Sequence, residues 1–190
     1  MQDKRAPVSL LLAFACIALA FAPETAQRLL AYDRSAILAG EAWRLWTGHL
    51  VHFSHMHALV DGIVLYAMAS LAEREFGSRS LACALALAAL VISLVLLAFV
   101  PSLFEYRGAS ALAVLVAVMA VTSVWNDERS HAFVMLIAAA YVLKTLVDAL
   151  SAAPSSSILP DGVDVAWQAH VCGAIAGALA VLFLGRKRAL

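Results

Sequence analysis

Long apolar runs separated by short polar segments recur along the whole of this sequence. Six runs are present, at about residues 8–22, 52–71, 80–100, 111–125, 131–150 and 163–184. A helix needs roughly 20 mainly apolar residues to cross a bilayer. Hydrophobic residues make up 64% of the chain, whereas soluble domains contain roughly 45 to 50%. The sequence therefore predicts an all-α membrane protein, a six-helix bundle in which residues 1–190 form a single transmembrane domain.

The segment between the first two runs, residues 23–50, has a different character. Charged residues alternate there with apolar ones and with the two tryptophans Trp43 and Trp46. This mixture is typical of a segment that lies in the membrane interface rather than across the bilayer. We therefore expect an interfacial first loop. The run before it also resembles a signal peptide, since it ends in Ala20-Phe21-Ala22, but Pro23 would directly follow the cut. We expect the first span to be retained.

The fourth apolar run is too short to cross a membrane by itself. Residues 111–125 number 15 and are followed by Asn126-Asp127-Glu128-Arg129. Such a helix covers roughly 22 Å of a hydrocarbon core about 30 Å thick. Ser110 at its start is then expected inside the membrane. The segment before it, residues 101–108, must dip into the membrane, which irregular backbone does only when protein buries it or it lines a wet cavity. The short run thus predicts that Ser110 lies in a water-accessible pocket.

A serine and a histidine on two apolar runs are the minimum for nucleophilic catalysis. Small residues recur every four positions on both runs: Ala109, Ala113 and Ala117 on the fourth, and Ala169, Gly173 and Gly177 on the sixth. Such small-residue stripes allow two helix backbones to approach closely. Contact between them would bring Ser110 to His170. The alternative is that the stripes only pack helices and that the serine hydroxyl bonds to its own helix backbone.

Basic residues near the ends of the runs indicate the orientation, because Lys and Arg concentrate on the cytoplasmic side. With the N-terminus inside, eight of them fall inside: Lys4, Arg5, Arg74, Arg79, Arg129, Arg186, Lys187 and Arg188. Four fall outside: Arg28, Arg34, Arg44 and Arg107. We expect both termini in the cytoplasm and the site nearer the outer face. The formal net charge is zero, so nucleic acid is not expected as a partner.

Five short motifs, in order along the chain, resemble those of the rhomboid family of six-span intramembrane serine proteases. They are Gly40-Glu41-x-Trp43-Arg44, His52-x-x-x-x-His57-x-x-x-Asp61, Glu73-x-x-x-Gly77, Gly108-x-Ser110 and Ala169-His170-x-x-Gly173-x-x-x-Gly177. Each motif is weak by itself, but their common order is specific. The compact size and the aspartate that ends the second motif are similar to the rhombosortase branch, which trims C-terminal membrane-sorting tails.

The resemblance implies roles for these residues. Ser110 would be the nucleophile and His170 its general base, in a dyad, since no acidic residue is obviously placed to orient the histidine. The Ser110 backbone N–H and the His57 side chain would hold the oxyanion, and His52 would support the mouth of the pocket or its water. No cofactor is implied. The substrates would be single-span membrane proteins cut near the extracytoplasmic face of the bacterial inner membrane, within the lipid bilayer.

Two positions depart from the family pattern. Ala111 replaces a glycine that usually follows the serine, a change of one methyl group. Asp61 replaces an asparagine, and an ionised carboxylate beside an oxyanion would repel it. Either Asp61 is protonated and donates to the oxyanion, or it is ionised and accepts a hydrogen bond from His57 or His52. We favour the second reading, because an unpaired anion in the membrane is costly.

Other classes of function stay open on the sequence alone. An inactive rhomboid-like binding protein would share the fold, but it has no need of both Ser110 and His170. A transporter or metal-handling protein is suggested by the pair Lys144 and Asp148 and by a histidine cluster, His49, His52, His55 and His57. The spacing of that cluster does not match a helical zinc site, so we expect no metal and regard His49 and His55 as surface residues. Lys144 and Asp148 are either a neutral pair or a gate contact.

Overall fold

The computed structural model describes residues 6–125, 128–151, 159, 163 and 165–186. These residues are mainly helical. The helices are α1 (Pro7–Leu19), α2 (Glu24–Leu30), α3 (Arg34–Leu38), α4 (Arg44–Thr47), α5 (His55–Phe76), α6 (Ser78–Phe99), α7 (Ser110–Val124), α8 (Glu128–Leu150) and α9 (Trp167–Arg186). Two short strands, β1 (Tyr32–Asp33) and β2 (Glu105–Tyr106), pair antiparallel with Tyr32 opposite Tyr106. This pairing fixes the segment before α7 against the segment before α3.

Among the described residues, three helices are long and apolar enough to cross a membrane: α5, α6 and α9 over Trp167–Gly185. Two further apolar helices are shorter, α1 and the first part of α7, Ser110–Val121. The short fourth run is therefore a short helix in the structure, with 15 residues in α7. The structure is that of a helical membrane protein.

Two helices begin later than the sequence predicted, and each difference changes the position of a histidine relative to its helix. The run predicted from about residue 52 begins as α5 at His55, where the Ser54 hydroxyl accepts the His57 backbone N–H at 3.0 Å. This is an ordinary N-cap, and it leaves His52 in the preceding loop. The run predicted from about residue 163 becomes helical only at Trp167. His170 consequently lies in the first turn of α9.

The first helix is packed into the bundle by a buried carboxylate. Glu73 of α5 accepts the backbone N–H groups of Val8 and Ser9 at 3.1 and 2.9 Å, and the Ser9 hydroxyl at 2.5 Å. It thereby satisfies free N–H groups at the start of α1, as a cap supplied by another helix. Further along α1, Ile17 lies directly over Gly62 of α5. These contacts give α1 a defined place against α5.

Helices α7 and α9 approach each other backbone to backbone. A Cβ atom at Gly173 would overlap the carbonyl oxygen of Ala111. One at Gly177 would lie 2.6 Å from the Leu115 carbonyl oxygen and 2.8 Å from Val118 Cβ. Both distances are shorter than real Cβ contacts, so only glycine fits at these two positions. The small residues four apart on α9 allow this approach. The stripe predicted on α7, Ala109, Ala113 and Ala117, does not supply the nearest atoms, since Ala111, Leu115 and Val118 lie there instead.

The segment between α1 and α5 is held by buried polar groups. Arg44 is 6% exposed, and its guanidinium donates to the carbonyl oxygens of Arg28 and Ala31 at 2.6 and 2.7 Å and to the Glu41 carboxylate at 2.7 Å. His49 is fully buried; its Nε2 lies 3.2 Å from the Ala89 carbonyl oxygen and 3.1 Å from the Ser93 hydroxyl. The prediction that His49 is a surface residue was therefore wrong, because its polar partners lie on α6, forty residues away. His55, in contrast, is exposed.

Candidate active site

The turn before α7 requires glycine at position 108. Gly108 has a φ of +137°, in a region that side chains rarely adopt. A Cβ there would also lie 3.0 Å from His57 Cε1 and 3.1 Å from His57 Nε2. The buried Tyr106 hydroxyl donates to the Gly108 carbonyl oxygen at 3.0 Å and so holds the turn from the other side. Ser110 follows as the first residue of α7, where the helix has free backbone N–H groups.

Ser110 and His170 are in direct contact. The distance between Ser110 Oγ and His170 Nε2 is 2.9 Å, which is a hydrogen bond. Ser110 donates in this bond when Nε2 carries no proton, and that tautomer is the one a general base needs. The close approach of α9 to α7 at Gly173, one turn beyond His170, places the two side chains together. Within the part of the chain that the structure describes, no carboxylate forms an ion pair with His170.

Asp61 lies at the centre of a second buried group next to the serine. Its Oδ2 accepts the Ala109 backbone N–H at 2.9 Å and lies 3.2 Å from His52 Nε2 and 3.3 Å from His57 Nε2. The side chains of His52, His57 and Asp61 are 0%, 8% and 8% exposed. The Ala109 N–H also lies 3.3 Å from His52 Nε2, so the tautomer of His52 decides whether its Nε2 accepts this N–H or donates to Asp61. With Nε2 protonated on both histidines, three N–H groups can point at one carboxylate oxygen. An acceptor with several donors is the ordinary environment of an ionised carboxylate.

A cavity of about 440 Å³ opens onto both groups. His57, Asp61, Ser110 and His170 line it, together with Phe53 and Lys144. The structure thus brings together Ser110, His170, His52, His57, Asp61 and Gly108, all of which the sequence singled out as candidate site residues. Gly173 and Gly177 lie behind them, in the contact between α7 and α9.

The predicted pair Lys144 and Asp148 forms on α8. Lys144 Nζ lies 2.5 Å from both oxygens of Asp148. The Lys144 side chain is 55% exposed and the Asp148 side chain only 5%. The lysine thus reaches the cavity while its partner is buried behind it.

Sequence reasoning gave no role to a group of charges at the rim of the cavity. Arg107 donates to Glu105 at 2.7 Å and to Glu24 at 3.0 Å, and its guanidinium lies 5.2 Å from the centre of the Phe53 ring. Hydrogen bonds from Arg107 and Arg28 lower the pKa of the Glu24 carboxyl. Arg107 could have been suspected from its place between Tyr106 and Gly108. Glu24 offered no such signal, because its partner lies 83 residues further along the chain.

Comparison with known families identifies the class. The Rhomboid domain family matches residues 39–187, a range that contains every candidate site residue that the sequence singled out. No curated protein matches the chain. Because the match covers most of the sequence, the chain belongs to the rhomboid family, whose proteases are intramembrane serine hydrolases acting on membrane proteins in the bilayer.

Proposed function

We propose that this rhomboid is an active intramembrane serine endopeptidase in which Ser110 is the nucleophile and His170 the general base. The observation that carries this proposal is the 2.9 Å contact between Ser110 Oγ and His170 Nε2 at a cavity of about 440 Å³. Serine is a weak nucleophile at its free pKa, and an adjacent base activates it. An inactive relative would have no need to keep the two side chains in hydrogen-bond contact.

The reaction is hydrolysis of a peptide bond in two halves. Ser110 Oγ attacks the carbonyl carbon while His170 Nε2 takes its proton. The tetrahedral intermediate collapses, the C–N bond breaks, and His170 gives the proton to the leaving amine. Water from the cavity then attacks the acyl-enzyme, His170 again taking and returning the proton, and the free acid and Ser110 are released. No cofactor takes part in these steps.

The oxyanion is held by the Ser110 backbone N–H and by His57, with the positive end of α7 adding to both. His57 lines the cavity, so a rotation of its ring turns the Nε2 proton from Asp61 toward the oxyanion. Asp61 is ionised in this proposal and orients His57, and its charge is balanced by the N–H groups around Oδ2. His52 completes the support by holding Asp61 from the side of the loop.

In the membrane, α1 and α5 to α9 form six spans of one domain, and α2 to α4 form an interfacial loop. Both termini lie in the cytoplasm, and the cavity faces the outer side of a bacterial inner membrane. The substrates are single-span proteins that reach Ser110 between α5 and α8, where Lys144 borders the cavity. Asp61 favours the rhombosortase branch, so C-terminal sorting tails are the substrate segments that we propose.

Cleavage of a single-span substrate in liposomes tests the proposal. Ser110→Ala and His170→Ala should each lower kcat/KM by at least about 10³-fold, and the double variant should lose no more, because the two residues act as one unit. Ser102→Ala is the matched control, since Ser102 also lines the cavity. It should cleave at the wild-type rate. Cleavage by Ser110→Ala would refute the proposal.

A further inference from the structure

Three buried side chains beside the dyad present their ligand atoms to one point. One ligand atom from each of His52, His57 and Asp61 lies within 4.8 Å of the other two. Two of the three separations, from Asp61 Oδ2 to each histidine, are 3.2 and 3.3 Å. Two imidazoles and one carboxylate are a common ligand set for transition metals, found for example in catalytic zinc sites.

The distances fit a tetrahedral zinc site. Zn²⁺ binds histidine nitrogen and carboxylate oxygen at roughly 2.0 to 2.2 Å, so two ligand atoms of one tetrahedron lie about 3.3 to 3.5 Å apart. The two separations from Asp61 are within about 0.2 Å of that range. The two histidine nitrogens must also come to this separation from each other, and rotation of either ring can adjust it.

The structure favours His52, His57 and Asp61 as ligands over the cluster of four histidines considered from the sequence. His57 and Asp61 are four residues apart and therefore on one face of α5, and His52 comes from the loop that the later start of α5 leaves free. His49 is engaged with Ser93 and Ala89, and His55 is exposed. The aspartate is the decisive ligand. A carboxamide at position 61 would be a poor zinc ligand and would leave only two histidines.

The surroundings indicate weak and exchangeable binding. His57 and Asp61 line the cavity, so an ion can arrive from water and keep a fourth position open. Histidine ligands normally donate their second N–H to a partner, which strengthens metal binding by roughly 10- to 100-fold. The Nδ1 atoms of His52 and His57 are buried without a hydrogen-bond partner among the described residues.

We propose that His52, His57 and Asp61 form a reversible binding site for a divalent transition metal, with Zn²⁺ as the best-fitting ion. An ion there would hold His57 away from the oxyanion. Occupancy would therefore inhibit cleavage, a consequence that rests on the proposed protease function.

Binding is tested with Co²⁺, whose visible absorption is intense in tetrahedral sites. The full chain in detergent is titrated as the Ser110→Ala variant, which keeps all three ligands. We expect one Co²⁺ per chain, displaced by Zn²⁺. Asp61→Asn and His57→Gln should each weaken binding at least tenfold. His55→Ala, which removes a histidine outside the set, should leave it unchanged.

Thermal unfolding of each variant in the absence of metal checks that the fold is kept. Two ligand variants are used so that the test still works if one of them does not fold. Failure of Ser110→Ala to bind Co²⁺ at one per chain, or equal binding by folded Asp61→Asn, would overturn the site. In the cleavage assay, Zn²⁺ should inhibit the wild type and a chelator should restore its rate. If the wild-type chain does not cleave the substrate, the Co²⁺ titration still tests the metal site independently of the proposed protease function.

Discussion

Helices α7 and α8 follow each other in the chain but are packed in opposite ways. Most of the first three turns of α7 is buried: Ala111, Leu112, Ala113, Leu115, Val116, Met119 and Ala120. The longer α8 exposes nearly all of its apolar residues, and among its described side chains only Thr145 and Asp148 are buried. Both helices border the same cavity, through Ser110 and through Lys144.

This difference in packing gives the two sides of the cavity different roles. The proposed reacting groups lie on α5, α7 and α9, and α7 packs closely against both of the other helices. The opposite side of the cavity belongs to α8, whose few contacts make its displacement inexpensive. In the function proposed above, a substrate helix would approach from the α8 side without disturbing Ser110 and His170. Changes on the α7 side should affect stability and chemistry together, and changes on the α8 side should affect them less.

The largest effect on stability is expected from Gly173→Ala, which places a methyl group at the Ala111 carbonyl oxygen. The helices must separate, at a cost of about 3 kcal/mol, the upper end of the usual range for overpacking. Displacement of α9 also moves His170 away from Ser110. Thermal unfolding in detergent and cleavage should both show the loss.

The matched control is Gly185→Ala on the same helix, where an added Cβ meets nothing. It should be neutral or slightly stabilising, because alanine favours helix over glycine by about 1 kcal/mol. Full stability and activity of Gly173→Ala would show that the α7–α9 contact is not close.

Asp61→Asn tests the support of the oxyanion residues. The amide oxygen can still accept the Ala109 N–H, but the negative charge that orients His57 is lost. A hydrogen bond to a charged group is worth about 1.5 to 3 kcal/mol, so kcat/KM should fall about 10- to 100-fold. The assay contains a chelator, so that metal binding plays no part. Near-wild-type turnover would contradict an orienting role for Asp61.

A smaller effect is expected on the α8 side. Lys144→Met leaves the buried Asp148 carboxylate without its partner, and the free energy of unfolding should fall by about 1 to 2 kcal/mol. This is less than for a fully buried pair, since Lys144 is half exposed. Adding Asp148→Asn should restore most of the loss, because no buried charge is left. If the double variant is less stable than Lys144→Met, the pair is not a simple charge balance.

The smallest effect is expected at Glu24, whose side chain is 55% exposed and whose partner Arg107 keeps Glu105 as a second partner. Glu24→Gln should cost less than about 1 kcal/mol. The folded-state pKa of Glu24 is lowered, so its contribution is present above the unfolded value of about 4.3 and is lost as the pH falls through the folded value. The difference in unfolding temperature between wild type and Glu24→Gln should therefore shrink from pH 6 to pH 3. A difference that grows as the pH falls would contradict the assigned direction of the Glu24 pKa shift.

The sequence predicted the structural features that depend on local residue patterns. Apolar runs marked the helices, the length of the fourth run marked α7 as short, and small residues four apart marked the face of α9 that meets α7. On α7 the atoms nearest to Gly173 and Gly177 belong to Ala111, Leu115 and Val118, none of which is in the predicted stripe. Composition could not separate a helix from an extended apolar stretch, and so the start of α9 was placed about four residues too early.

The features that the sequence did not predict depend on contacts between residues that are far apart in the chain. His49 looked like a surface histidine because its partner Ser93 lies 44 residues away. The contact of Asp61 with the Ala109 N–H joins α5 to the turn before α7, and no pattern near either residue indicates it. The sequence therefore left the role of Asp61 as two alternatives, and it did not include the aspartate with the histidines as a metal ligand.

The most direct test of the central claim is covalent labelling with a fluorophosphonate, which reacts with a serine only when a base activates it. The protein in detergent is labelled and the modified residue is located by mass spectrometry. We expect one label, on Ser110, that is lost in Ser110→Ala and His170→Ala and kept in Ser102→Ala. A folded wild-type chain that takes no label, or a label that survives His170→Ala, would contradict the assignment of Ser110 and His170 as a catalytic dyad.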